Sequence, residues 1–172
     1  MESSAGVFSH IAENVLRNIE SYYAANNSVS DELLLTLHSV FGDISERALA
    51  LLDSGSVTLL KTSVNNAKIF QVSGSSGTIY LIYPNINFCL CTFYTHQVNK
   101  GCAYTCKHVL AALLGNIMGS CRELEMTPDN FVATLIERNV REAFTMVKAF
   151  ELKRMHGEKI NLNKMLDLQL KI

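Results

Sequence analysis

Residues 89 to 108, CLCTFYTHQVNKGCAYTCKH, hold four of the chain's five cysteines and two of its five histidines. Thiolate sulfur and imidazole nitrogen are the ligands zinc prefers, and a tetrahedral site is usually assembled from two close pairs brought together by the fold. The pairs here are Cys89-x-Cys91 and Cys106-x-His108, with fourteen residues between them. A Cys-x-Cys pair suits a strand end or turn, where a bend lets both sulfurs face one ion. A Cys-x-His pair suits a helix entrance, with the cysteine in the non-helical lead-in and the histidine in the first turn. Four protein ligands would leave no position for a reacting water, which marks such a site as structural. Its expected work is to fasten a hairpin to the following helix, so that metal is needed for folding and chelation costs stability.

Three other side chains compete for a role. Cys102 precedes Cys106 by one helical turn and could replace it as ligand, although it reads more simply as a small loop or core residue. His96 lies in TFYTHQV, a short helix or loop, and reads as a surface residue. Cys121 stands at the far end of the helix that His108 enters, roughly 20 Å away at 1.5 Å per residue, too far to ligate. A cysteine nucleophile is the enzymatic alternative. Against it, the nearest partners are themselves cysteines and no separate Asn or Asp stands out to orient a histidine. SGSSG (73–77) lacks the Lys-Ser/Thr ending and following helix of a phosphate loop and reads as a hairpin turn. The chain is expected not to be an enzyme.

The elements that must position these ligands follow from periodicity. Phe8, Ile11, Val15, Ile19 and Tyr22 recur at helical spacing and the polar stretch AANNSVS ends that helix. Ser30 caps a second helix, DELLLTLHSVF, stopped by Gly42; Asp43 and Glu46 resemble a capping box opening a third, to about Gly55. VTLLKT, KIFQVS, TIYLIY and NFCLC then read as three or four antiparallel strands. From Cys106 onward Val109, Leu110, Leu113, Leu114 and Ile117 share a helical face, and Thr127 and Pro128 open another helix running to about Met155. The tail INLNKMLDLQLKI fits strand or helix equally. The fold class is α+β: N-terminal helices (1–55), a small antiparallel sheet with the metal cluster and following helix (56–122), and a C-terminal helical extension (123–172).

At 172 residues, 48% hydrophobic and 18% charged, the chain reads as an ordinary folded domain. No apolar run of about 18 residues occurs, and MESSAGVFSHIAEN lacks the basic start and apolar stretch of a signal peptide, so an intracellular, soluble protein with reduced thiols is expected and no membrane partner. Up to Asn99 four basic residues face eight acidic ones, −4, and from Lys100 onward eleven face eight, +3. This balance announces no broad basic face for gripping DNA. Direct nucleic-acid binding by the finger, suggested by Lys100, Tyr104 and Lys107, stays open as an alternative.

Cys89-x-Cys91, then Cys106-x-His108 with Ala111 three residues on, resembles the SWIM-type zinc finger, CxCx(n)CxHxxA. With LLLTLHSVFGDISERALALLDSGSVTLL and IFQVSGSSGTIYLIYPNINFCLC ahead of it, the chain resembles over about residues 30–136 the small SWIM subunits of the Shu complex, which support homologous recombination. The resemblance implies a non-enzymatic subunit with structural Zn2+ on Cys89, Cys91, Cys106 and His108, and a close-packing role for Ala111. It further implies pairing with a recombinase-family paralogue ATPase, support of the recombinase filament on single-stranded DNA held through that partner, and work in DNA repair and meiosis in the nucleus. The stripe Leu33, Leu34, Leu37, Phe41 and Leu49 is either part of the partner contact or plain core.

Overall fold

The computed structural model describes residues 4–63 and 66–137, with side chains described from Phe8 onward. The described chain falls into two compact units, 4–128 and 129–137. In the first, three helices, α1 (Ser4–Asn26), α2 (Asp31–Phe41) and α3 (Asp43–Asp53), precede three strands, β1 (Val57–Lys61), β2 (Lys68–Ser73) and β3 (Ile79–Ile82). A π-helical turn (Tyr94–Val98), α4 (Lys107–Ile117) and β4 (Arg122–Glu125) follow. Residues 128–137 are helical, as Thr127 and Pro128 predict. The expected continuation to Met155 and the ambiguous tail lie outside the described residues. No described helix is long and apolar enough to cross a membrane.

The helix stops behave as their residue types dictate. Asn27 ends α1 in the left-handed conformation (φ 52) and its N–H bonds the Tyr23 carbonyl at 2.8 Å. Ser30 caps α2 by accepting from the Leu33 amide at 3.3 Å. The expected capping box does not form. Gly42, at φ 56, closes α2 and opens α3 at once, so Asp43 is already the first helical residue and its carboxylate faces Arg47 at 3.9 Å instead of capping.

Two of the strand expectations are corrected. NFCLC is not a strand, because after β3 Pro84 cannot donate to a ladder and Asn85 turns the chain at φ 63. The sheet has its fourth strand elsewhere: β4 pairs parallel to β1, giving the order β3-β2-β1-β4 and a mixed rather than antiparallel sheet. Its sequence, RELE, lacks apolar alternation and all four residues are exposed. Backbone pairing to an open edge, with a Lys61–Glu123 ion pair across it, makes the strand. The rest is as read: β1–β2–β3 is antiparallel and SGSSG turns the hairpin, with Gly74 donating to the Thr78 carbonyl at 2.7 Å and Gly77 at φ 75.

One core joins helices and sheet. Val15, Ile19, Leu37, Phe41, Val57, Phe70, Val72, Ile82, Leu110 and Leu114 meet in it, together with Cys89, Cys91 and Cys106. The predicted α1 stripe is rotated: Ala12, Val15, Leu16 and Ile19 are buried, while Phe8, Ile11 and Tyr22 stay at least partly exposed. Of the α2–α3 stripe, Leu37 and Phe41 are buried and Leu33 and Leu49 pack against the core. Only Leu34 of that stripe is exposed, so core packing accounts for most of it.

Helix α4 packs closely on α3 at Gly115. A Cβ there would lie 2.7 Å from Leu52 Cδ2 of α3 and would overlap Cys121 Sγ. Gly115→Leu should therefore destabilise the fold by about 1–3 kcal/mol despite glycine's poor helix propensity. Urea midpoints of the two proteins check this, and an equal or higher midpoint in the variant contradicts the packing described.

Candidate metal centre

Cys89 and Cys91 lie on the irregular segment that leaves β3, and the chain turns immediately after them. The Thr95 amide bonds the Cys91 carbonyl at 3.1 Å, and Asn99 reaches back to Tyr94 with the longer register of a π turn, also at 3.1 Å. Such turns recur at functional sites. Cys106 occupies the extended N-cap position of α4 (φ −104, ψ 167), and His108 is in the first helical turn, the lead-in geometry that Cys-x-His requires. All four side chains are at least 95% buried.

Their donor atoms lie within 4.8 Å of one another. Nδ1 of His108 is 3.8 Å from Cys89 Sγ and 4.0 Å from Cys106 Sγ. A tetrahedral zinc with Zn–S of about 2.3 Å and Zn–N of about 2.0–2.1 Å has ligand–ligand edges of roughly 3.5–3.8 Å. These separations are at or slightly above the edges of a loaded site. These four residues could hold a metal ion, and no other such group occurs among the described residues. Cys102 is exposed, His96 is exposed on the π turn, and Cys121 is half-buried beside Gly115. The structure therefore selects Cys106 over Cys102.

Three thiols this close cannot all ionise without a counter-charge. Hydrogen bonds with Cys106 and Cys91, then burial, raise Cys89 far above the ordinary thiol range. Cys91 is held far below it by its bonds with Cys106 and Cys89, helped by the Tyr94 amide, which donates to its sulfur at 3.3 Å. Cys106 is pushed up to about 11: its hydrogen bond with Cys89 lowers it, but that with Cys91 and burial outweigh this. A dication is the group that lets all three serve as thiolates.

Around the donors stands a set of supports that sequence reasoning missed. Tyr80 of β3 stacks on the His108 ring, centroids 4.1 Å apart and planes 25° apart. Gly74 faces the same pair: a Cβ there would sit 3.1 Å from the Tyr80 ring and 3.6 Å from His108 Nε2. Asn87 ties the two ligand segments together. Its amide donates to the Tyr104 carbonyl at 2.8 Å, its Oδ1 accepts from the buried Thr105 hydroxyl at 2.8 Å, and its carbonyl accepts from the Tyr94 hydroxyl. Burial first, then the Cys106 and Cys89 charges, push Tyr94 up to about 12, so it stays a donor at neutral pH. Tyr104 packs edge-on against Phe41 at 6.1 Å. It is a half-buried link to α2 rather than a platform for a base. A side-chain amide two residues before a Cys-x-Cys pair was the available signal for Asn87, since it alone in NFCLC can bond two strands of chain at once.

Asn87→Ala leaves the Thr105 hydroxyl buried without this acceptor and should cost about 1–3 kcal/mol. Denaturant unfolding of the metal-loaded protein measures it, and a loss below about 0.5 kcal/mol would remove Asn87 from the framework of the site.

No protein-family model matches the chain and no solved structure is similar to it. Curated relatives are. Zinc finger SWIM domain-containing protein 7 of Danio rerio is 33% identical over 129 residues, covering 74% of this chain and 91% of the relative. Its Mus musculus counterpart is 32% identical over 128 residues (74% and 84%), and that of Homo sapiens 29% over 140 (81% and 99%). Joined to a buried Cys3His cluster in SWIM spacing, this similarity shows that the chain belongs to the family of zinc finger SWIM domain-containing protein 7.

Proposed function

We propose that the chain is a non-enzymatic, zinc-stabilised interaction subunit of a Shu-type complex. In this reading it pairs with a recombinase-family paralogue ATPase and promotes recombinase filament assembly on single-stranded DNA during homologous recombination in the nucleus. The single observation that carries the reading is the closed donor set: Cys89, Cys91, Cys106 and His108 supply four buried ligand atoms within 4.8 Å, in the spacing of the SWIM motif. Zinc bound there would supply charge for three thiolates and a cross-link between the loop after β3 and α4. With four protein ligands its coordination is full, which favours architecture over hydrolysis.

The chain's own residues shape what is presented to a partner. The donors belong to the core that joins α1, α2, α3 and the sheet, so losing the metal disturbs the whole described first unit and not only one finger. On the surface of that unit Phe8, Ile11 and Tyr22 of α1 and Leu34 and Leu35 of α2 are exposed apolar groups, Leu35 at 67%. Surfaces of this kind often mark protein contacts.

Purified protein should contain one zinc per chain, and a strong chelator should lower its thermal midpoint by 10 °C or more, on the order of several kcal/mol for a domain of this size. Cys91→Ala and His108→Ala should lose zinc and partner recovery together, whereas Cys102→Ser should keep both. Metal analysis and affinity capture from cells with mass spectrometry read the two outcomes. Capture that returns no recombinase-like ATPase would sink the partner assignment, and zinc retained in Cys106→Ser would sink the ligand set.

A further inference from the structure

Beside the metal cluster lies a groove of about 250 Å³ lined from four elements: Ile44 and Arg47 of α3, the Gly74–Ser76 turn with Tyr80, the segment Cys91–Phe93, and Lys107 with His108 of α4. Its lining contains two cations and no carboxylate, in a chain whose first 99 residues carry −4. The nearest acid to Arg47 is Asp43, 3.9 Å away on the exposed face of α3, and Glu46 pairs with His38 at 3.4 Å. Lys107 is the first residue of α4, whose first turn has no acidic residue. A cation at a helix N-terminus opposes the macrodipole, so helix stability does not explain it. With Arg47 in the same lining it favours an anion in the groove.

The remaining lining fits what would be attached to that anion. Ser75, Ser76 and Thr92 bring hydroxyls, the side chains that accompany Arg and Lys at phosphates and sugars. Phe93 leaves 38% of its surface exposed at the groove, although Tyr94 beside it is buried. Cations along a groove with an accessible aromatic ring are the pattern of single-strand binding, in which phosphates are neutralised and a base stacks. A bare carboxylate would leave the ring without a partner.

We propose that this groove binds one nucleotide of a single-stranded nucleic acid, the phosphate between Arg47 and Lys107 and the base on Phe93. This assigns nucleic-acid contact to the chain itself, beyond the partner-borne contact proposed above. Of Lys100, Tyr104 and Lys107, only Lys107 lines the groove. The zinc cluster forms one wall, through Cys91 and His108, so the metal shapes the site without touching the strand.

The test uses the full, zinc-loaded chain alone and a dye-labelled oligothymidylate of about 15 nucleotides, followed by fluorescence anisotropy across a salt series. Binding tighter than about 10⁻⁴ M at physiological salt is expected. Arg47→Ala and Lys107→Ala should each reduce the slope of log K against log salt by about 0.7. Phe93→Ala should weaken binding about 5- to 150-fold with the slope unchanged. Lys100→Ala, outside the groove, should reduce affinity less than Lys107→Ala. Zinc content and circular dichroism of each variant show that it is folded. Wild-type affinity in all three groove variants overturns the proposal, as does failure to bind the oligonucleotide. Displacement of the oligonucleotide by an equal concentration of oligoglutamate overturns it in favour of an acidic protein segment. Because no partner is present, these outcomes are independent of whether a recombinase-like ATPase is recovered from cells.

Discussion

Three thiols and an imidazole buried in the principal hydrophobic core set the terms for this fold. Buried polar groups are tolerated only when satisfied, and buried charges only when paired. Here the thiols are one another's hydrogen-bond partners and their titration is pulled in opposite directions, Cys89 upward by its bonds with Cys106 and Cys91, and Cys91 downward by its bonds with Cys106 and Cys89. A dication removes the conflict by satisfying all of them together. Because Cys89, Cys91 and Cys106 share a core with α1, α2, α3 and the sheet, satisfying the cluster and closing the core become one event.

The supports around the cluster show how such a requirement spreads through a small domain. Tyr80 fixes the His108 ring from the sheet, and the Tyr94 amide fixes the Cys91 sulfur from the π turn. Asn87 spans between the two ligand segments, and Tyr104 carries the chain on to Phe41 of α2. Each link restricts where one ligand can sit, which is how outer partners tune a metal site. Gly74 and Gly115 serve the same end by omission: at both, a side chain would strike a neighbour that the site or the α3–α4 contact needs.

Four buried donor residues within 4.8 Å of one another could hold a metal ion, and a donor set that is already full suits an architectural role better than a reacting one. The surface carries exposed apolar residues on α1 and α2 and a groove lined by Arg47 and Lys107 beside the cluster. One suits a protein partner, the other an anionic strand. A subunit that bridged an ATPase and the strand it acts on would need both.

The sequence alone singled out the candidate cluster, because two pairs at Cys-x-Cys and Cys-x-His spacing point to one ion and the elements flanking them are strongly patterned. It also determined α2, the hairpin at SGSSG and α4, where caps, turn glycines and periodicity coincide. Tertiary structure decided the rest, for identifiable reasons. Cys102 was the rival ligand by spacing, and the fold separates the two by exposing Cys102 and placing Cys106 at the buried N-cap of α4. RELE became a strand because β1 offered an unpaired edge, a cause absent from its own residues. NFCLC looked like a strand by composition, yet Pro84 and Asn85 turned it away and the Asn87 side chain bonded the Tyr104 carbonyl and Thr105 hydroxyl instead. The groove is assembled from residues 44 to 108, and a site whose parts come from four separated elements has no local sequence signature.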